Sequence, residues 1–269
     1  MVGEAPETIY NLAGGTMDPE TAKAIEYGER LLAAAIDLVG DAKVDLDERW
    51  ARHPHVVALT ILCRTICNFR ASLRLAQDRQ VVEARTLVRL MYENLLWLNA
   101  VKERGTEFVQ EMVEDEAANR DKLAKLAMEL AGRHEGDVSG PDALKLRSII
   151  KMLRTDHPEP KQLEARAVAA DGKLEMVYYV YRRFSLDAVH CSVSALGRHV
   201  SGEHSDGHSE LILSVIPNTL PEEVLDTVTH ANHVLLCAAV GANELVRCNS
   251  SNAALSRLWD EFKANGWPQ

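Results

Sequence analysis

Aromatic residues are scarce in this chain, and the scarcity narrows the kind of core it can build. Phe, Trp and Tyr make up 5% of its 269 residues. The interior must therefore be assembled from Leu, Val, Ile and Ala, a mixture that favours helices. No cysteine pair has the CxxC spacing, and the five cysteines (Cys63, Cys67, Cys191, Cys237 and Cys248) form an odd, scattered set. A disulfide framework is not encoded, and reduced side chains acting as small hydrophobes are expected, the Cys63–Cys67 pair included. With no signal-peptide pattern at the N-terminus, the expected location is the bacterial-type cytoplasm or an equivalent reducing compartment. No apolar run approaches the ~20 residues needed to span a bilayer, so a soluble chain with no membrane partner is expected. The P-loop, GxGxxG, GxSxG and kinase signatures are missing, which removes support for the common nucleotide, hydride and hydrolase chemistries. HExxH and the paired ExxH motif of di-iron bundles are missing too, and neither a cofactor nor a metal is expected.

What is present is charge, unevenly distributed. The formal net charge of −10 argues against holding nucleic acid by bulk electrostatics, which needs a basic footprint. Between Arg49 and Arg104, however, nine Arg and one Lys face four acidic residues, a local excess of about +6. A basic face able to meet RNA on an otherwise acidic body is compatible with this, and Arg suits forked contacts to phosphate or carboxylate.

Hydrophobic spacing predicts an all-α fold: a single bundle of roughly seven to nine helices containing antiparallel helical hairpins. Residues 1–17 read as a loose arm and 18–269 as one helical domain. Asp18-Pro19-Glu20 supplies a cap, a first-turn proline and a first-turn acid. The helix they open should bury Ile25, Leu32, Ile36 and Val39. A helix from Pro54 and another over 80–103 are expected to form a hairpin across the short joint at Asp78-Arg79. The second of these has Val81, Ala84, Val88, Met91, Leu95 and Leu98 at near-heptad spacing. Thr106 opens a fourth helix, Pro141 a fifth, and 161–170 a short sixth. A long helix should then run to about His199, with Ser185 as an alternative bend. Ser201 to Ser209 reads as a loop, 211–216 as the one strand-like run, and helices from Pro221 and about Ser251 complete the chain.

The densest chemical pattern is Tyr181-Arg-Arg-Phe-Ser-Leu-Asp-Ala-Val-His190. On a helix, Arg183, Asp187 and His190 share one face beside an apolar stripe through Val177, Val180 and Phe184. Asp187 is placed to pair with Arg183 and to orient the His190 ring, which would make the imidazole a general acid or base. The plainer reading of the same spacing is a solvated ion-pair ladder. Arg85, Arg89 and Glu93 recur four residues apart along the third helix, either lining a polar cleft that faces His190 or forming a matched pair at a helix joint. His199, His204 and His208 crowd one loop, with His230 and His233 on the next helix. They are better read as solvated than as metal ligands.

Two stretches, Ala84-Arg85-Thr-Leu-Val-Arg89-Leu-Met-Tyr-Glu93 and Tyr181-Arg-Arg-Phe-Ser185-Leu-Asp-Ala-Val-His190, resemble a bacterial helical family of unknown function, the domain-of-unknown-function family 5677. The likeness spans roughly residues 55–240. It implies a helical fold and almost no activity; the expected binding positions are Arg85, Arg89, Glu93, Tyr181 and Ser185. Arg183 and His190 are also similar to the Arg–x(4–6)–His signature of HEPN-type ribonucleases, although Phe184 stands where that group is usually polar. That resemblance implies a homodimer that cleaves RNA without metal in a stress or phage-defence setting. The alternative expectation is a non-catalytic helical module that binds a protein partner or a small ligand.

Overall fold

The structure is a computed structural model that describes residues 17–45, 47–48, 50–135, 141–158, 160–188, 192–205, 208–215 and 217–268. The fold is all-α: ten α-helices and one two-stranded hairpin among those residues. Helix α1 spans Pro19–Asp41, α2 Pro54–Gln77, α3 Val81–Arg104, α4 Thr106–Glu135, α5 Pro141–Asp156 and α6 Ala165–Asp171. They are followed by α7 (Glu175–Ala188), α8 (Val193–Gly197), strands β1 (Val200–Ser205) and β2 (His208–Leu213), α9 (Pro221–Val246) and α10 (Asn249–Ala264).

Local chemistry sets the helix ends. Asp18 caps α1, its Oδ2 accepting from the Thr21 backbone N–H at 2.9 Å while Pro19 fills the first turn. Between α2 and α3 the chain reverses at Arg79, whose φ of 57° is left-handed, and the Gln80 N–H reaches back to the Leu75 carbonyl at 2.8 Å. The Glu223 carboxylate accepts from the Leu220 N–H at 3.1 Å and closes the start of α9.

Helices α2, α3 and α9 form the centre, with α1 and α7 against them. The seam read from α3 is buried at all six positions, Val81 to Leu98, and it meets Val224, Val228, Ala231, Leu235, Ala238 and Ala242 of α9 in one core. Burial of such side chains, about 1.5–3 kcal/mol each, is the main favourable term. In α1 the face is rotated from the expected one. Ile25 is buried as expected and Leu32 and Val39 pack at the core's edge, but Ala24, Tyr27, Gly28, Leu31, Ala35 and Leu38 turn inward and Ile36 is 50% exposed. The helix lies so close to its neighbours that small residues define its inner side. A Cβ built on Gly28 meets Asn232 Oδ1 at 2.6 Å and Phe69 Cζ at 3.1 Å. Tyr27 then anchors α10, donating to the Leu258 carbonyl at 3.0 Å inside a ring cluster with Phe262 and Trp267.

Further expectations are corrected. The long helix of the second half breaks after Ala188 and restarts at α8, because the Ser192 hydroxyl takes the Ala195 N–H at 3.1 Å and caps a new turn. Ser185 sits unbent inside α7, donating to the Tyr181 carbonyl at 2.8 Å. The segment read as a loop is a hairpin, with Val200 opposite Leu213 and Ser205 opposite His208. Cys67 is exposed rather than in the core, and all four described cysteines are free. Helix α2 has the length and apolar content of a membrane span, contrary to expectation, although its Ala58, Leu62, Phe69 and Leu73 belong to the protein core.

The contact at Gly28 is testable. Gly28→Ala gains helix propensity yet forces a methyl group into Asn232, which its hydrogen bond to the Ala24 carbonyl (2.8 Å) holds in place. A net loss of about 2 kcal/mol is expected from overpacking, read as a lower midpoint in thermal unfolding.

Candidate functional site at the junction of α3, α7 and α9

Charged residues that the sequence scatters over 150 positions meet where α3 lies between α7 and α9. On the α7 side, Arg89 donates from Nε to the Ser185 hydroxyl at 3.2 Å and from Nη1 to Glu93 at 3.1 Å, and it also hydrogen-bonds the Tyr181 hydroxyl. Its guanidinium lies 4.5 Å from the Tyr181 ring centre. The four predicted binding residues Arg89, Glu93, Tyr181 and Ser185 thus form one closed unit. Tyr178 stacks on Tyr181 at 5.7 Å, while Tyr179 is exposed.

Arg85 belongs to a second unit on the α9 side. Its Nε donates to Thr227 at 3.2 Å, and its two terminal nitrogens approach Glu223 at 3.4 Å and Asp226 at 3.5 Å. Arg198, just past α8, grips Glu223 in a fork at 2.9 and 2.6 Å. Asp226 in turn accepts from Arg183 at 2.6 Å and lies 3.5 Å from His230 Nε2, whose Nδ1 shares a 2.7 Å hydrogen bond with the Tyr92 hydroxyl. Phe184 floors this unit: the Arg183 guanidinium lies 5.0 Å from its centre and the His230 ring meets it edge-on at 5.3 Å. Among the described residues Arg183 is held by Asp226, across the gap to α9. His190 lies outside the described residues, and so does the side chain of Asp187. The expected cleft between Arg89, Glu93 and His190 falls there with them.

Electrostatics tie the second unit together. The Arg198 fork holds the Glu223 carboxyl down at about 2, assisted by the Leu220 N–H and Arg85 against the opposing effect of burial. Burial acts on Asp226 in the upward direction, yet hydrogen bonds with His230 and Arg183 outweigh it and bring its carboxyl to about 2. Desolvation pushes the Tyr92 phenol far up, so it stays a neutral hydroxyl. Further along α9, burial lowers His233 to about 4 as its ring stacks on Phe262 at 5.5 Å. His199 Nδ1 meets the Ser214 carbonyl at 2.9 Å and braces the base of the hairpin; the side chains of His204 and His208 are not among those described. Among the described residues, no three His, Cys, Asp or Glu side chains are grouped to hold a metal.

Residues 55–208, more than half of the chain, match the family of unknown function DUF5677. The chain belongs to DUF5677. The match takes in α3 and α7, and so Arg85, Arg89, Glu93, Tyr181, Arg183 and Ser185, but it ends at the start of β2. Glu223, Asp226 and His230, which complete the site, lie beyond it. No curated protein and no solved structure matches the chain. The contribution of α9 was absent from the sequence reading, although Glu223, Asp226, Thr227 and His230 at spacings of three and four mark one polar face of that helix.

Because both α9 carboxylates titrate below their ordinary range, the stability they contribute is complete above about pH 4.5. It is lost as pH falls through about 2. Glu223→Gln is expected to cost about 2 kcal/mol at pH 7, since it leaves Arg198 and Arg85 without their shared carboxylate. It should also flatten the acid limb of stability against pH, measured by urea unfolding between pH 7 and 2.5.

Proposed function

We propose that this DUF5677 protein is a helical interaction module that associates with a second copy through α7, α8 and the hairpin. The reading is carried by large apolar side chains that no described residue covers. Leu186 on α7, Val193 and Leu196 on α8, and Leu211, Leu213 and Val215 on and after β2 all face solvent, Leu213 at 72% and Val215 at 92% exposure. Large exposed apolar side chains on soluble proteins, where they cluster, mark association surfaces. Among the described residues the two-stranded sheet also has both outer edges unpaired, and a hairpin this small gains stability from added strands. A second copy related by a two-fold axis meets both needs with the same surface on each side. The guanidiniums of Arg85, Arg89 and Arg198 are already engaged by carboxylates, which suits a scaffold. Sedimentation equilibrium is expected to give a dimer, and Leu213→Glu with Val215→Glu to return it to a monomer with an unchanged far-ultraviolet spectrum. A wild-type protein that is monomeric throughout the micromolar range defeats the reading.

A second reading, metal-independent RNA cleavage of HEPN-like type in a stress or phage-defence role, is favoured by the setting of Arg183. Its guanidinium is 42% exposed, held by Asp226 and laid over Phe184, on the helix that leads within seven residues to His190. With five N–H donors it retains capacity beyond Asp226 to stabilise a phosphorane, while His190 moves the 2′-hydroxyl proton. Labelled RNA incubated with purified protein in excess EDTA separates the readings. Cleavage that disappears in His190→Ala establishes the nuclease, and an inert wild-type protein leaves the interaction module. Activity that vanishes only on chelation overturns the metal-free route and returns attention to His199, His204 and His208.

A further inference from the structure

Helices α4 and α5 form an antiparallel arm beside the bundle, and α4 is the principal neighbour of α5. Between them lies a cleft of about 550 Å³. Met128 and Ile150 form its apolar lining, and Lys125, Arg147, Lys151 and Arg154 supply its charge. The last three recur at i, i+4 and i+7, so one face of α5 turns a row of cations into the cleft. Asp121 partners Lys125 and, at 3.4 Å, Arg154, and those two cations hold its carboxyl below the ordinary range. Arg147 and Lys151 have no carboxylate partner among the described residues. This positive, apolar strip sits on a chain whose net charge is −10.

We propose that the α4–α5 cleft is a docking groove for an acidic amphipathic helix of a partner protein. The apolar edge of that helix covers Met128 and Ile150, and its carboxylates pair with Arg147 and Lys151. A helix laid along two antiparallel helices completes a three-helix layer, and the alternation of apolar and basic positions fits its two edges. A nucleic acid would use the cations but would gain nothing from Met128 and Ile150, and the lining carries no aromatic ring for bases. A second copy of the arm would bring like charges together. The inference concerns a surface other than the hairpin face and extends the interaction reading to a partner of defined chemistry.

The test uses the full-length protein and a fluorescein-labelled synthetic helix of roughly three heptads with Leu at the seam and Glu on both flanks. A Lys-flanked version and a mixed-sequence single-stranded RNA serve as comparison probes. The acidic helix is expected to bind by fluorescence anisotropy, with affinity falling as salt rises. Binding should weaken at least about tenfold in Arg147→Glu with Lys151→Glu, and again in Met128→Glu. Leu213→Glu with Val215→Glu, which disrupts the hairpin face, should leave it unchanged, so failure of the groove and failure of the dimer are told apart. Arg147 and Lys151 have no carboxylate partner among the described residues, and circular dichroism is expected to show the charge-reversed protein folded. No binding of the acidic helix, equal binding to the charge-reversed protein, or preference for the Lys-flanked helix or the RNA overturns the proposal.

Discussion

A central helix that carries charge must hand that charge to a partner before its apolar face can be closed. Helix α3 has this problem in acute form, because α2, α7 and α9 all lie against it while Arg85, Arg89 and Glu93 project from its flanks. An unpaired guanidinium in that position would cost several kcal/mol in lost hydration. The fold meets the demand in two directions. Arg89 is absorbed by Glu93, Ser185 and Tyr181, and Arg85 by Thr227, Glu223 and Asp226. The relative placement of α7 and α9 follows from these contacts as much as from apolar packing.

Seen this way, the polar junction is the lateral wall of the core. Tyr92 shows the continuity: its ring is buried against Phe184 while its hydroxyl reaches His230, which touches Asp226. Fully satisfied networks of this kind favour one packing over its near alternatives. The exposed apolar residues lie elsewhere: on the α7–α8–hairpin face, which begins at Leu186, the residue after Ser185, and on the α4–α5 arm.

Much of the fold was legible because the helices are long and their apolar residues strictly spaced. The seam of α3 could be read position by position. The inner face of α1 could not, because Ala24, Gly28 and Ala35 are small, and closeness of approach, rather than hydrophobic bulk, selected them. The hairpin was hidden because Ser201 to Ser209 holds no apolar alternation and its pairing is set by backbone hydrogen bonds. Half of the site, Arg89 with Glu93 and Tyr181 with Ser185, showed as i, i+4 spacing within single helices. The other half rests on contacts such as Arg85 to Glu223, 138 residues apart in the chain, and no local pattern encodes which distant carboxylate a guanidinium will meet.

The order of the core helices along the chain has a consequence for biosynthesis. Helices α2 and α3 are made early as a hairpin, but α9, which covers their shared seam, begins more than a hundred residues after α3 ends. At ordinary elongation rates the ribosome needs roughly ten seconds to supply it. For that interval Val88, Met91 and Leu95 lack their final cover, and the nascent chain depends on transient shelter, from its own α4 to α7 or from a chaperone, before the bundle can close.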